Sequence, residues 1–174
     1  MTVTRNAGAS IFLTSENEWY KAAYYDAVST SYFDYPAGTN LATVCAAPTA
    51  TANRANCSTS GVTDVGAYTG SASPYGTYDQ GGNVWEWNEE IVSGSLRGVR
   101  GGSWVVNATS LAASFPGDDP PGDEFDGVGF RVASAIPEPG TGLLMMAGLA
   151  GLAAWRRRSA QAPSSTDLAF SLRA

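Results

Sequence analysis

No histidine occurs among the 174 residues of this chain. Imidazole is the one side chain whose ordinary pKa lies between pH 5 and 8. Its absence excludes Ser/His/Asp catalysis, His-ligated zinc and the His-based facial triad of non-haem iron. Lysine is nearly absent too, with Lys21 alone, and charged residues make up only 15% of the chain. From Met1 to Ala135, six basic residues (Arg5, Lys21, Arg54, Arg97, Arg100, Arg131) stand against fourteen acidic ones, a balance of −8. That excludes a nucleic-acid partner, because a phosphate backbone needs a dense positive field. No glycine-rich loop precedes a phosphate-binding helix. Met1 to Ser10 holds no apolar run of signal-peptide length, since Thr, Arg and Asn interrupt it. Residues 1–10 are expected to be disordered, with further sequence missing upstream.

What is present suffices for a core: 44% of residues are hydrophobic and 11% aromatic. Twenty glycines and nine prolines imply many turns and short elements, so the expected class is irregular α+β with little regular secondary structure. Ser15 followed three residues later by Glu18 forms a capping box, and Trp19, Ala22, Ala23 and Asp26 follow at helical spacing. This predicts a helix over 16–25 with Trp19 as its buried anchor. Thr30 to Ser73 reads as loop packed by its own rings. Val84 to Trp87, Val99 to Val106 and Gly129 to Ala133 read as strands, with Trp85 and Trp87 on one face as core and Glu86 on the other. Phe115 to Gly127 reads as an acidic Pro/Gly-rich loop. Its Asp118, Asp119, Asp123, Glu124 and Asp126 lack EF-hand spacing and are expected to be a solvated face.

Cys45 and Cys57 are the only cysteines. They either close a small loop in an oxidising compartment or stand as two unrelated small apolar residues. The end of the chain is of another character. Pro137-Glu138-Pro139 breaks any preceding strand, an apolar run covers 141–155, and Arg156, Arg157 and Arg158 follow at once. The run is short for a bilayer of roughly 30 Å. Its flanks, Trp155 and the triple arginine, point to a membrane helix with its basic end in the cytoplasm, against the alternative of a buried core helix.

This tail resembles a PEP-CTERM sorting signal, in which a Pro-Glu-Pro motif, a transmembrane helix and a basic cluster are recognised together by an exosortase. The resemblance covers residues 135–158 and leaves 159–174 as an expected disordered tail. It implies membrane association, cleavage near the motif and transfer from the inner membrane to the surface or extracellular matrix of a Gram-negative bacterium.

Four blocks in order carry a second resemblance. They are Leu13-Thr-Ser-Glu-Asn-Glu-Trp-Tyr-Lys-Ala-Ala23, Tyr75-Gly-Thr-Tyr-Asp-Gln-Gly-Gly-Asn-Val-Trp-Glu-Trp87, Arg100-Gly-Gly-Ser-Trp104 and Gly129-Phe-Arg-Val132. They resemble the C-terminal part of the formylglycine-generating enzyme family, the sulfatase-modifying-factor domain. The resemblance implies a C-type-lectin-like fold over 11–134, reduced or truncated at its N-terminal side.

Asp79 and Glu86 lie seven residues apart across a glycine turn, a spacing that lets a folded-back loop aim two carboxylates and intervening carbonyls at calcium. A turn aspartate and a solvated strand glutamate are the alternative. The family resemblance implies the calcium set: Asp79 and Glu86 by side chain, Gly82 and Val84 by carbonyl. It carries no second calcium site to Asn56 and Cys57, where the ligand-bearing loop is too short. Oxidising members of the family bind copper through two cysteines after the Gly-Gly-Ser-aromatic strand. Here Val106 and Leu111 stand there, and Ser114 replaces a basic residue, so neither copper nor iron is expected. A paired-carboxylate hydrolase through Glu89, Glu90 or the acidic loop has no support from spacing. The expected function is therefore a surface-anchored, non-catalytic binding or structural module, with loops 30–73 and 105–127 facing a surface ligand that the sequence does not name. The alternative is a divergent oxidoreductase of this family whose active-site residues lie in a missing N-terminal part.

Overall fold

A computed structural model describes residues 5–135 together with Leu149, Leu152 and Arg156. The chain divides into two compact units, Met1–Ser134 and Ala135–Ala174. In the first, a strand β1 (Ile11–Leu13) leads into helix α1 (Glu16–Tyr24) and two short pieces, β2 (Tyr25–Asp26) and β3 (Ser31–Tyr32). A long loop region holds only β4 (Val44–Cys45) and β5 (Arg54–Ala55). The longest strand, β6 (Trp85–Ser93), is followed by β7 (Leu96–Arg100), a 3-10 turn (Ala108–Leu111), β8 (Gly117–Asp119), β9 (Val128–Phe130) and β10 (Val132–Ser134). Four strands form the main sheet in the order β8-β7-β6-β9, with β9 parallel to β6 and the other pairs antiparallel. β10 crosses to pair with β1, Leu13 opposite Val132.

Helix α1 begins where the capping box places it. The Ser15 hydroxyl accepts from the Glu18 amide, and the Glu18 carboxylate accepts from the Ser15 amide at 2.8 Å, satisfying two end donors reciprocally. Trp19, Ala23 and Tyr24 are buried, and Trp19 and Tyr24 meet edge to face with centroids 5.9 Å apart. The helix packs against the Glu86 and Asn88 face of β6, whose alternation puts Trp85 and Trp87 on the other face. That second face is not core as expected, because both indoles are only half-buried. Trp85 packs on Phe115 at 6.0 Å, and Trp87 lines a cavity of about 380 Å³ with Leu13, Arg97 and Pro121.

The expected strand over 99–106 stops at Arg100. Gly101 and Gly102 take φ of 93° and 73°, the left-handed region that favours glycine and ends a ladder. The expected strand over 129–133 is likewise two, β9 and β10, divided at Arg131. The expected acidic loop contains β8, whose Asp119 lies opposite Arg97. Ahead of the expected boundary at Ile11, the Arg5 guanidinium reaches Glu18, Glu89 and the Leu13 carbonyl.

Among the described residues no helix is long and apolar enough to cross a membrane. The membrane helix expected over 141–155 lies outside the described residues except for Leu149 and Leu152, which are helical. Pro137, Glu138, Pro139, Arg157 and Arg158 also lie outside them, and Arg156 is helical.

Candidate functional site

The centre of the domain is the turn from Tyr78 to Glu86. Asp79 and Asn83 adopt φ of 57° and 66°, and Gly82 adopts 80°, so three of its residues are left-handed. Asp and Asn tolerate that region better than other side chains. Gly82 has a second reason to be glycine. A Cβ there would stand 2.4 Å from the Asn56 carbonyl oxygen, inside any real contact distance. The Asn83 amide donates to that same carbonyl at 2.8 Å, and its buried side chain accepts from the Asn56 side chain at 3.0 Å and from the Thr63 amide at 2.9 Å. The turn is thus docked on the long loop by paired backbone and side-chain bonds, which a close approach of two backbones requires.

Glu86 is the hub. Its carboxylate, 6% exposed for the residue as a whole, accepts from the Trp19 indole N–H at 2.6 Å through Oε2. Arg131 donates Nε to Oε2 at 2.5 Å and Nη2 to Oε1 at 2.6 Å. This bidentate fork is the strongest geometry a carboxylate and a guanidinium can form. Arg131 Nη2 also donates to the Tyr78 carbonyl at 3.2 Å. Nearby, Glu16 accepts from Arg100 Nε at 2.8 Å and from the buried Asn88 side chain at 2.6 Å. Gln80, also buried, donates to the Trp19 carbonyl at 3.4 Å and pairs with the Thr77 hydroxyl.

Of the four positions assigned to calcium, Gly82 and Val84 by carbonyl and Asp79 and Glu86 by side chain, the two carboxylates take protein partners. Asp79 turns its Oδ2 to the Gly66 amide at 2.6 Å, while Glu86 turns to Arg131 and Trp19. Among the described residues no group of three or more His, Cys, Asp or Glu side chains converges as a metal site. Both oxygens of Glu86 accept from charged or indole N–H donors. Arg131, which sequence reasoning placed in a strand and gave no role, is the residue that was missed. Its signal was indirect: a glutamate on the helix-facing side of a short strand needs a partner of opposite charge.

The second region of interest holds Val106 and Leu111, where the resemblance calls for thiols. Leu111 is fully buried and packs with Ala55 and Cys57, and Tyr35, Cys45, Val106 and Ala108 close round them. Cys45 and Cys57 are joined in a disulfide, with Cα atoms 4.8 Å apart. The loop carrying Val106 is tied to the Cys57 segment by Ser58 N–H to Val106 O and Thr59 N–H to Trp104 O, each 2.8 Å. Ser114 is exposed, and Glu89 is paired with Arg5 at 2.9 Å. The burial of the Tyr24 phenol, whose hydroxyl donates to Leu111 O at 3.1 Å, pushes its pKa well above the ordinary range.

Comparison with known proteins agrees with this architecture. Residues 135–158 match the PEP-CTERM protein-sorting motif, which implies exosortase processing and sorting to the cell envelope. The hercynine oxygenase of Mycobacterium tuberculosis is 32% identical over 134 residues, 66% of this chain and 30% of that protein. The hercynine oxygenase of Mycolicibacterium smegmatis is 31% identical over 138 residues, 66% of this chain and 31% of its own length. The chain thus spans about a third of these relatives. The crystal structure of CarF superposes with a TM-score of 0.56 at 27% identity, covering 76% of this chain and 50% of CarF. The model for the sulfatase-modifying factor enzyme 1-like domain matches residues 5–136, so the domain takes the N-terminal side of the chain and begins ahead of Ile11. An α+β domain with one short helix, four blocks set around a buried glutamate and a family match over most of its length give one conclusion: the chain belongs to the sulfatase-modifying factor enzyme 1-like domain family.

Proposed function

We propose that the chain is an exported, surface-anchored module that binds or supports other envelope components and performs no redox chemistry of its own. The observation that carries this reading is Leu111. An aliphatic side chain, fully buried against a disulfide, stands where the resemblance calls for a copper-binding thiol. Aliphatic groups supply neither a soft ligand nor an electron pair. With no histidine in the sequence, no imidazole offers itself in compensation.

The binding surface in this reading is formed by the loops 30–73 and 105–127, which are joined by the Ser58 amide to the Val106 carbonyl at 2.8 Å and the Ala113 amide to the Asp34 carbonyl at 2.9 Å. The lectin-like scaffold that the resemblance implies would present such loops to a ligand. The sorting motif supports the route: inner membrane during processing, then the surface or matrix of a Gram-negative cell.

The competing reading, a divergent oxidoreductase, draws on the identity to two hercynine oxygenases. One assay separates the two. The protein expressed with any reading frame upstream of Met1 and incubated with copper, oxygen and a cysteine-containing peptide is expected to oxidise the peptide thiol no faster than the metal alone. Oxidised peptide formed at a rate above the metal-only control rejects the non-catalytic reading. For the address, fractionation is expected to find the mature product in the envelope or medium. Product confined to the cytosol with Arg156 to Arg158 still attached rejects export.

A further inference from the structure

The turn from Tyr78 to Glu86 already holds a cation, the guanidinium of Arg131. We propose that Arg131 itself bridges this turn, so that the domain closes its central loop and fixes its last strand without needing calcium.

Three observations carry the assignment. The first is span: one guanidinium reaches both ends of the turn, the Tyr78 carbonyl at 3.2 Å and the Glu86 carboxylate at 2.5 and 2.6 Å. A bound ion would have to make the same bridge. The second is saturation. Glu86 Oε2 accepts from Arg131 and from Trp19, Oε1 accepts from Arg131, and Asp79 Oδ2 is committed to the Gly66 amide. Three N–H donors face the two Glu86 oxygens and a fourth faces Asp79 Oδ2, so a calcium ion gathering its six to eight oxygens would compete with them for both carboxylates. The third is charge. The Glu86 side chain is 7% exposed and needs one compensating positive charge, which Arg131 supplies. Adding a divalent ion to two carboxylates and a guanidinium leaves positive charge over in a poorly solvated site.

The placement of Arg131 makes the bridge durable. It stands between β9, paired to β6 at Trp85 to Trp87, and β10, paired to β1 at Ile11 to Leu13. Backbone ladders on both sides hold its Cα, so little side-chain freedom is lost on forming the fork. The guanidinium joins the strand that ends the domain to α1, β6 and the turn through one carboxylate. That strand ends at Ser134, next to the sorting motif that starts at 135, so the end from which an anchored domain hangs is fixed by the protein's own charge.

The test uses the full chain in detergent, its melting temperature read by tryptophan fluorescence after exhaustive chelation and again in millimolar calcium. Metal that binds only the folded state must raise the melting temperature by mass action. The wild-type melt is expected to be the same in both conditions. Arg131→Met is expected to lower it by several degrees in both alike, and Arg131→Lys, which keeps the charge and loses the fork, to recover part of the loss. A wild-type melt that falls on chelation, returns with calcium and loses that dependence in Asp79→Asn overturns the proposal, as does an Arg131→Met melt equal to wild type. The wild-type comparison stands by itself where the Met variant does not fold.

Discussion

The two buried regions of the domain are held by different physics. Around Glu86, beneath the apolar face of α1, the interior is polar: Glu86, Asn88, Gln80 and Asn83 are all buried, and each has a partner at a definite distance. Around Leu111 it is apolar, with a disulfide set among Ala55, Val106 and Ala108. A polar interior specifies, because a misplaced group loses its bond and still pays for lost water. An apolar interior fills, and it accepts change as long as volume is kept. The polar region is built from the blocks that carry the family resemblance. The apolar one includes Val106 and Leu111, the positions where the resemblance calls for thiols, so the shared blocks are held by direction while this region is held by volume.

The largest test of that contrast is Leu111→Ala. Removing a fully buried leucine side chain from a region that a disulfide keeps from collapsing is expected to cost about 2–5 kcal/mol in urea unfolding. Leu111→Met, nearly volume-conserving, is expected to cost under about 1.5 kcal/mol. If the two variants unfold together, the region is not packed by volume. Trp19→Phe probes the other side with an intermediate effect. It keeps an aromatic ring and removes the indole N–H that reaches Glu86 Oε2 at 2.6 Å. The expected loss is about 1–3 kcal/mol, the range for depriving a buried polar group of one partner. A neutral result would show that Arg131 alone satisfies the carboxylate and that direction matters less there than proposed.

How much of this was legible depends on the distance over which each signal acts. The helix was readable because Ser15 and Glu18 act three residues apart, and the face alternation of Trp85, Glu86 and Trp87 because a strand has period two. The β6–β7 hairpin went unread although Gly94-Ser95 stands between its strands, where Gly94 takes φ 57°. β8 had no local signal at all. Gly117-Asp118-Asp119 is poor in β-formers, and it is a strand because it pairs with β7, setting Asp119 opposite Arg97 at a charged sheet edge. The same holds for the central site. Asp79 and Glu86 were visible as carboxylates, but which cation faces Glu86 depends on a residue 45 positions away, and the fold alone brings Arg131 there.

The smallest expected effect lies outside both interiors, where Arg5 ties the first described residue to Glu18 and Glu89. The Arg5 guanidinium above all holds the Glu18 carboxyl down to about 2 from an ordinary 4.5, against an opposing cost of burial that outranks either of the lesser bonds from the Ser15 amide and hydroxyl. The folded state therefore binds this proton less readily than the unfolded one. The contribution is complete above about pH 4.5 and is lost as the pH falls towards 2. The side chains are 31% and 44% exposed, so solvent and salt screen the pair and its worth is about 0–1 kcal/mol. Glu18→Gln is expected to flatten the acid limb of a stability–pH curve between those values and to leave the curve near neutrality lower by less than about 1 kcal/mol. Raising the salt should shrink that difference while leaving the Leu111→Ala and Trp19→Phe losses in place, because only the surface pair is exposed to the ions. A Glu18→Gln effect that ignores salt would mean that Arg5 belongs to the polar interior and not to its rim.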